Sequence, residues 1–203
     1  MTFRWKLLIA LSGAVVAAVA VVAWAVLATT RVAFERLDEQ RTRALAEQIQ
    51  REFTRRGEEV ARRVEGIAGA DSTRRMAIEL SRPEADRALY VREAEALAAA
   101  HGLDFLELLA YDGAIVSSAQ WPARFGYKED WVIQASDWKA QPAFLKREEL
   151  ADETALALVA VRPVAAGEKN LYVVGGVRVG EALLASLSVP AGMWAQIYDD
   201  LRH

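Results

Sequence analysis

Residues 104–119 read DFLELLAYDGAIVSSA, which is two short apolar runs separated by the pair Asp112-Gly113. An Asp-Gly pair accepts the positive backbone φ angles of a type I′ turn. The pattern therefore predicts a β-hairpin with strands at about 104–110 and 114–119. No helical spacing of apolar residues competes with this interpretation over so short a stretch.

Further apolar runs predict the rest of a mainly antiparallel sheet. Residues 154–164 and 171–179 are predicted to form a second hairpin, and residues 193–198 a fifth strand. These strands are apolar on both faces, so both faces of the sheet must be covered. The pair Gly175-Gly176 lies inside a strand and indicates either a bulge or a close approach of neighbouring groups.

Two segments are predicted to cover the sheet. Residues 31–68 show apolar side chains at spacings of 3, 4 or 7, with Arg and Glu balanced elsewhere, which predicts one long amphipathic helix on one face. Residues 120–150 carry six aromatic side chains within 24 residues and are predicted to cover the other face. The fold class is therefore α+β, with the long helix packed on a mainly antiparallel sheet.

Two shorter helices are predicted between the long helix and the first hairpin. Ser72 is expected to cap a helix that ends near residue 80. Residues 81–84 match a capping box with proline in the first turn, which predicts a helix at about 84–100. Gly102 is expected to end that helix in the left-handed conformation.

The N-terminal region predicts a membrane anchor. Residues 7–28 carry no charged side chain, and at about 1.5 Å per residue they span about 33 Å, which matches a bilayer core of about 30 Å. Arg4 and Lys6 place the tail in the cytoplasm and the following chain in the periplasm or outside the cell. A cleaved signal peptide is the alternative, although its apolar region is usually shorter. The predicted organisation is a cytoplasmic tail at 1–6, a transmembrane helix at 7–30, a membrane-proximal helix at 31–70 and a globular domain at 71–203.

Composition excludes several classes of function. The chain has no cysteine, which excludes disulfides, thiolate catalysis and cysteine-based metal sites. A formal net charge of −3 gives no basic surface for nucleic acid. No catalytic, nucleotide-binding or metal-binding motif is found, so no cofactor, no metal and no catalytic residue is predicted. A hydrolase with an unrecognised site remains an alternative.

The aromatic segment and the hairpin tip supply the candidate binding residues. Large rings provide apolar contact area, and a few polar groups orient a ligand. An arginine can bind a carboxylate through two parallel hydrogen bonds. Packing of the aromatic rings against the sheet is the structural alternative and is compatible with a pocket. The predicted ligand-binding residues are Tyr111, Trp121, Arg124, Tyr127 and Trp131.

The order of these elements resembles the extracytoplasmic Cache (PAS-like) sensor domains of bacterial receptors. Residues 105–109, 112–113, 117–127 and 187–193 are similar to the sensor regions of membrane histidine kinases of the nitrogen-regulation type. The resemblance implies that residues 71–203 are a Cache-like domain that binds a small molecule, such as an organic or amino acid, on the face opposite the long helix.

The resemblance also implies how such a domain signals. The ligand shifts the long helix against the same helix of a homodimer partner, and the shift crosses the membrane to a kinase. This sequence contains no kinase core, so it is not expected to be an enzyme by itself. The alternative is a membrane-anchored interaction or scaffold protein without a small-molecule ligand.

Overall fold

The computed structural model describes residue 24, residues 43–134 and residues 137–180. The chain divides into two compact units, Met1–Gln50 and Arg51–His203. In the first unit, residues 43–50 are helical. The predicted membrane helix, apart from residue 24, and the predicted strand at 193–198 lie outside the described residues.

None of the helices among the described residues combines the length and the hydropathy needed to cross a membrane. The proposed domain boundaries stay predictions.

The second unit contains a five-stranded sheet in the order β2-β1-β5-β4-β3, and every pairing in it is antiparallel. This sheet confirms the predicted α+β class. The strands are β1 (Phe105–Leu109), β2 (Ile115–Ser118), β3 (Phe144–Glu149), β4 (Thr154–Ala166) and β5 (Lys169–Arg178).

The edge strand β3 was missing from the prediction, which assigned its residues to a covering segment. Its sequence, FLKREE, is rich in charge, and its side chains alternate between half-buried or buried and exposed positions. An edge strand with one solvated face tolerates such charges, and only six residues are available to show the alternation. We define the covering segment below as residues 120–143, which precede β3.

The β1–β2 hairpin forms at the predicted place with a different turn. Gly113 has φ +77°, whereas no other residue type among those described has a positive φ. A type I′ turn needs positive φ at both central residues, so that part of the prediction is wrong. Instead, the Asp112 carboxylate accepts a hydrogen bond from the Ala114 N–H at 3.2 Å, and the strand register shifts between Leu108 and Leu109.

The second unit begins with helix α1, which comprises residues 51–69. Three further α-helices and two short 3₁₀ helices follow it. They are α2 (Asp71–Leu80), α3 (Glu93–His101) and α4 (Asp130–Gln134), with 3₁₀ helices at Arg87–Tyr90 and Pro122–Arg124.

The helix ends correct two predicted caps and confirm a third. The N-cap of α2 is Ala70 rather than Ser72, and no side chain caps it. The capping-box sequence at 81–84 forms a turn, because the Asp86 carboxylate accepts the Ala88 N–H and opens a 3₁₀ helix instead. Gly102 ends α3 with φ 61°, as predicted.

Both faces of the sheet are covered. On one face, Val64 and Ile67 of α1 are fully buried in a cluster with Leu106 and Leu108 of β1, which α2 and α3 also join. On the other face, the covering segment buries Val132 and Trp138 against apolar residues of β1, β4 and β5. The sheet is therefore the middle layer, with helices on one side and an irregular aromatic segment on the other.

Two glycines in β5 permit close packing on both faces. A Cβ atom on Gly175 would lie 2.7 Å from Val64 Cγ2, so the absent side chain lets α1 approach the sheet. A Cβ atom on Gly176 would lie 2.7 Å from the backbone oxygen of Leu158. The predicted close approach is confirmed.

We expect Gly176→Ala to destabilise the protein by about 1–3 kcal/mol, because its clash is with backbone and cannot be relieved by a rotamer change. Gly66→Ala is the matched control. Gly66 is exposed on α1 with open space around it, and the change should raise stability by up to about 1 kcal/mol. Urea unfolding of the full-length chain measures both, and equal effects would contradict the packing described.

Candidate functional site

Backbone hydrogen bonds hold the covering segment beside β2. The Ile115 N–H donates to the Tyr127 carbonyl at 2.7 Å, and the Gly126 N–H donates to the Ile115 carbonyl at 2.8 Å. The Glu129 N–H then donates to the Gly113 carbonyl at 2.9 Å. These contacts place the side chains of residues 124–129 next to the face of the sheet that lies opposite the helices.

A buried ion pair lies at the centre of this arrangement. Arg124, at the end of a 3₁₀ helix, is only 9% exposed. Its Nη2 lies 2.5 Å from Glu129 Oε1, and its Nη1 lies 4.0 Å from Glu107 Oε1 on β1. Glu107 also accepts a hydrogen bond from the Ser118 hydroxyl at 3.1 Å. One guanidinium therefore faces two carboxylates that come from different elements.

Gln120 extends this network to the far edge strand. Its Oε1 accepts the Leu106 N–H at 3.2 Å, and its Nε2 donates to Glu148 Oε1 at 2.9 Å. Glu148 lies on β3, which β5 and β4 separate from β1, so a flat sheet would place these strands about 14 Å apart. One glutamine reaches both because the sheet curves around this face. Lys146 of β3 completes the network through a bond of 2.7 Å to Glu148 Oε2.

Aromatic rings flank the charges. The Arg124 guanidinium lies 5.7 Å from the centroid of the Trp121 ring, and the Lys146 ammonium lies 5.1 Å from that of Trp131. Both distances are within the range of a cation–π interaction. The Trp131 indole N–H donates to Glu129. Trp131 also packs edge-on against Trp138, with ring centroids 5.6 Å apart.

We define the Glu107 cluster as Glu107, Arg124, Glu129, Lys146 and Glu148. It contains three carboxylates and two cations, all largely removed from water. Burial first, and then repulsion from Glu148, raise the pKa of Glu107 to about 7, against the opposing effect of Arg124. The cluster therefore holds one carboxylate more than its cations neutralise.

The structure brings three of the five predicted site residues together, namely Trp121, Arg124 and Trp131. Tyr127 follows in the covering segment, but its side chain is 62% exposed and it contributes through its backbone. Tyr111 lies at the tip of the β1–β2 hairpin, where the Lys169 ammonium sits 3.9 Å from its ring centroid. The ligand-binding role of all five stays a prediction.

The geometry changes what Arg124 can do. We expected it to bind a ligand carboxylate through both of its outer nitrogens, yet its guanidinium already pairs with Glu129 and faces Glu107. An incoming carboxylate must therefore displace Glu129 or add a fourth negative charge to the cluster.

Four members of the cluster were not among the predicted site residues, namely Glu107, Glu129, Lys146 and Glu148. For Glu107 a signal was present, because it is the one charge inside the run Phe105–Leu109 and strands of that kind are buried on both faces. Lys146 and Glu148 occupy alternate positions on one strand, but this was hidden while β3 was unrecognised. Glu129 carries no local signal, since its burial depends on the path of the covering segment.

A groove of about 630 Å³ lies on the opposite side of the sheet. It runs between α1 and residues 140–145, and its lining includes Phe53, Ala61, Leu145 and Leu158. None of the five predicted site residues lines it. We regard the Glu107 cluster as the better candidate for recognition, because its charges are largely buried. Of the four charged side chains that line the groove, only Arg162 is largely buried, whereas those of Glu58, Arg62 and Glu65 are 64%, 69% and 66% exposed.

The described residues contain no group of three or more histidine and acidic side chains arranged to hold a metal ion.

Comparisons with known proteins agree with this fold. The crystal structure of the sensor domain of the V. cholerae histidine kinase DctB is similar with a TM-score of 0.54 and 12% sequence identity, over 74% of this chain and 59% of that one. The E. coli DcuS sensor domain is similar with a TM-score of 0.42 and 19% identity, over 64% of this chain and 90% of that one. No protein-family model and no curated protein matches the sequence.

The resemblance to sensor domains of histidine kinases is therefore confirmed for the fold. The similarity spans about three fifths of the length of the DctB domain.

We expect Arg124→Met to cost about 3–5 kcal/mol of stability, because it leaves two buried carboxylates without their cation. Arg62→Met is the matched control. Arg62 forms an exposed pair with Glu58 at 3.8 Å, and its loss should cost about 0–1 kcal/mol. Urea unfolding of both variants measures the difference.

The double variant Arg124→Met/Glu107→Gln tests the assignment of the partners. Removing the charge that Arg124 compensates should recover part of the lost stability. A double variant no more stable than Arg124→Met would contradict the role of Glu107 as a partner of Arg124.

Proposed function

We propose that this chain is the extracytoplasmic ligand-sensing region of a membrane receptor of the sensor histidine kinase type. The observation that carries the proposal is the buried Glu107 cluster, which lies on the face of a sensor-type sheet opposite the helices. Buried ionisable groups with perturbed pKa values cluster at functional sites. The fold shared with the DctB sensor domain supports a sensory role.

The cluster favours a ligand that carries both signs of charge. An amino acid offers an ammonium group to the carboxylate in excess and a carboxylate that can compete with Glu129 for Arg124. The rings of Trp121 and Trp131 supply apolar contact area next to these charges. A simple anion is less suitable, because the cluster already has more carboxylates than cations.

The signal is proposed to reach α1 through Arg162 of β4. Its Nη1 donates to the carbonyls of Trp138 and Gln141 in the covering segment, at 3.0 and 3.2 Å. Its Nε donates to Glu65 of α1 at 2.8 Å. One side chain thus contacts both the segment that covers the ligand face and the helix on the other layer, so movement of the first biases the position of the second.

Residues 7–30 are proposed to anchor the chain in the inner membrane, with the N-terminus in the cytoplasm. A homodimer through the long helix is proposed to turn a shift of α1 into a signal. The sensory region has no catalytic role in this proposal.

We expect an amino acid, more than a simple organic acid, to raise the melting temperature of the full-length chain in detergent. At a concentration one hundred times its Kd, the ligand adds about 2.7 kcal/mol, or about 5–10 °C for a chain of this size. A thermal-shift screen over a panel of these metabolites measures the effect. A panel that produces no shift would contradict the proposal.

Two alanine variants test which part of the protein the ligand binds, through their effect on the rise in melting temperature. Trp121→Ala removes a wall of the Glu107 cluster and should abolish the shift. Tyr111→Ala removes a predicted site residue that lies elsewhere and should leave it intact. The opposite result would move the ligand site to the hairpin tip.

The topology is tested separately. Alkaline phosphatase fused after residue 203 should be active, and green fluorescent protein at the same position should be dark when exported through the general secretory pathway. Deletion of residues 7–28 should reverse both results. An active fluorescent fusion of the intact chain would contradict the extracytoplasmic placement.

A further inference from the structure

The covering segment is fastened to the sheet by the same charges that form the candidate ligand site. Gln120, Arg124 and Glu129 belong to the segment, whereas Glu107, Lys146 and Glu148 belong to β1 and β3. The polar contacts between these two groups meet at Glu107 and Glu148. Any change in the charge of one member therefore alters how firmly the segment is held.

Glu107 is the member whose charge is least compensated. It is 3% exposed, and its nearest cation, Arg124, is 4.0 Å away and hydrogen-bonded to another carboxylate at 2.5 Å. Glu148, by contrast, has a lysine at 2.7 Å and an amide donor at 2.9 Å. The ionised form of Glu107 is thus supported mainly by one neutral donor, the Ser118 hydroxyl.

Glu107 is surrounded by apolar side chains of the sheet and by charged groups from the covering segment and β3. Its neighbours on the same face of β1 are Phe105 and Leu109, and the residue opposite on β5 is Val174. The charged groups that face it are Arg124 and Glu129 from the covering segment and Lys146 and Glu148 from β3, with exposed Glu149 3.9 Å from Arg124. Apolar packing on the remaining sides keeps water from solvating a second negative charge.

We propose that the Glu107 cluster is a proton-sensing site, in which uptake of one proton by Glu107 fastens the covering segment to the sheet and its release loosens the segment. With Glu107 neutral, Arg124 is free to pair fully with Glu129 and repulsion from Glu148 disappears. With Glu107 ionised, Arg124 is drawn between two carboxylates. This function goes beyond the proposed ligand sensing and requires no ligand.

The direction of the pH effect follows from burial. The pKa of Glu107 is raised from 4.5 to about 7, so between these values the folded protein holds a proton that the unfolded chain has released. The stability that this proton contributes is present at acidic pH and is lost as the pH rises through about 7. The segment should therefore be tighter in acid and looser in alkali.

The test is a pH titration of the full-length chain in detergent, without added ligand, from pH 5 to pH 9. Hydrogen exchange of the covering segment and tryptophan emission are both followed, because the Trp131 indole bonds to Glu129. With each exchange rate divided by the intrinsic, base-catalysed rate at the same pH, the wild-type chain should show a one-proton transition near pH 7, with lower protection on the alkaline side. Glu107→Gln should hold the acidic spectrum and high protection throughout, and Glu168→Gln, an exposed matched control, should titrate like the wild type.

Ser118→Ala gives a second test that keeps the carboxyl group. It removes a hydrogen bond to the ionised form, so the transition should move up by about one pH unit. A Glu107→Gln chain that titrates like the wild type, or a Ser118→Ala midpoint that does not move, would overturn the proposal. If a metabolite raises the melting temperature but the pH transition is absent, only the proton-sensing proposal is contradicted. If the pH transition is present but no metabolite raises the melting temperature, only the ligand-sensing proposal is contradicted.

Discussion

Arg124 of the irregular aromatic segment pairs with Glu129 of the same segment and faces Glu107 of the sheet, and these charges are largely removed from water. Each buried ion loses several kcal/mol of solvation, which a single partner rarely restores. Neighbouring groups supply the rest of the stabilisation that the two ions lose with their water. Trp121 offers its ring to the guanidinium, Trp131 donates to the carboxylate, and backbone bonds of residues 126–129 hold the chain against β2. The site exists only while all of these contacts hold.

The same constraint explains why the two faces of the sheet are built differently. Helices α1, α2 and α3 satisfy most of their own backbone groups, so that face relies mainly on apolar packing, which Gly175 tightens under Val64. A few helix-end groups find polar partners there, as when the Ser117 hydroxyl donates to the Val91 carbonyl at 2.7 Å and accepts the Ala94 N–H at 2.9 Å. The covering segment is mostly irregular, and its backbone must find partners elsewhere. It finds them in β2 and in side chains such as Arg162, which donates to two of its carbonyls. The buried charged side chains therefore gather on the face that the covering segment occupies.

The predictable features were those determined by a few adjacent residues. The hairpin at Asp112-Gly113, the left-handed Gly102 and the close packing at Gly175-Gly176 each follow from backbone geometry that local sequence controls. The covering of both faces follows from strands that are apolar on both sides. These signals were sufficient for the fold class and for the position of the aromatic segment.

The site itself depends on contacts between distant residues, and local pattern does not contain them. Gln120 joins β1 to β3 only because the sheet curves, and Glu129 is buried only because of the path the chain takes after Arg124. The capping box predicted at residues 81–84 failed for a related reason, since Asp86 provided a competing acceptor for a backbone N–H. The chemistry and placement of Arg124, Trp121 and Trp131 made them candidates, but the sequence could not show which partner the guanidinium already holds.

A purely structural role does not account for the Glu107 cluster. Replacing a buried ionic network by apolar residues of similar size is often neutral or stabilising, and an apolar solution lies next to it, where Trp131, Trp138 and Phe144 already pack together. Three carboxylates with only two cations also make a poor rigid support, because one carboxylate is left without a full partner. An unpaired buried charge makes the local structure responsive to a proton or to an added ammonium group, since either one completes the network. The proton-sensing proposal requires two states of similar free energy for this segment, which is the property that a sensor needs.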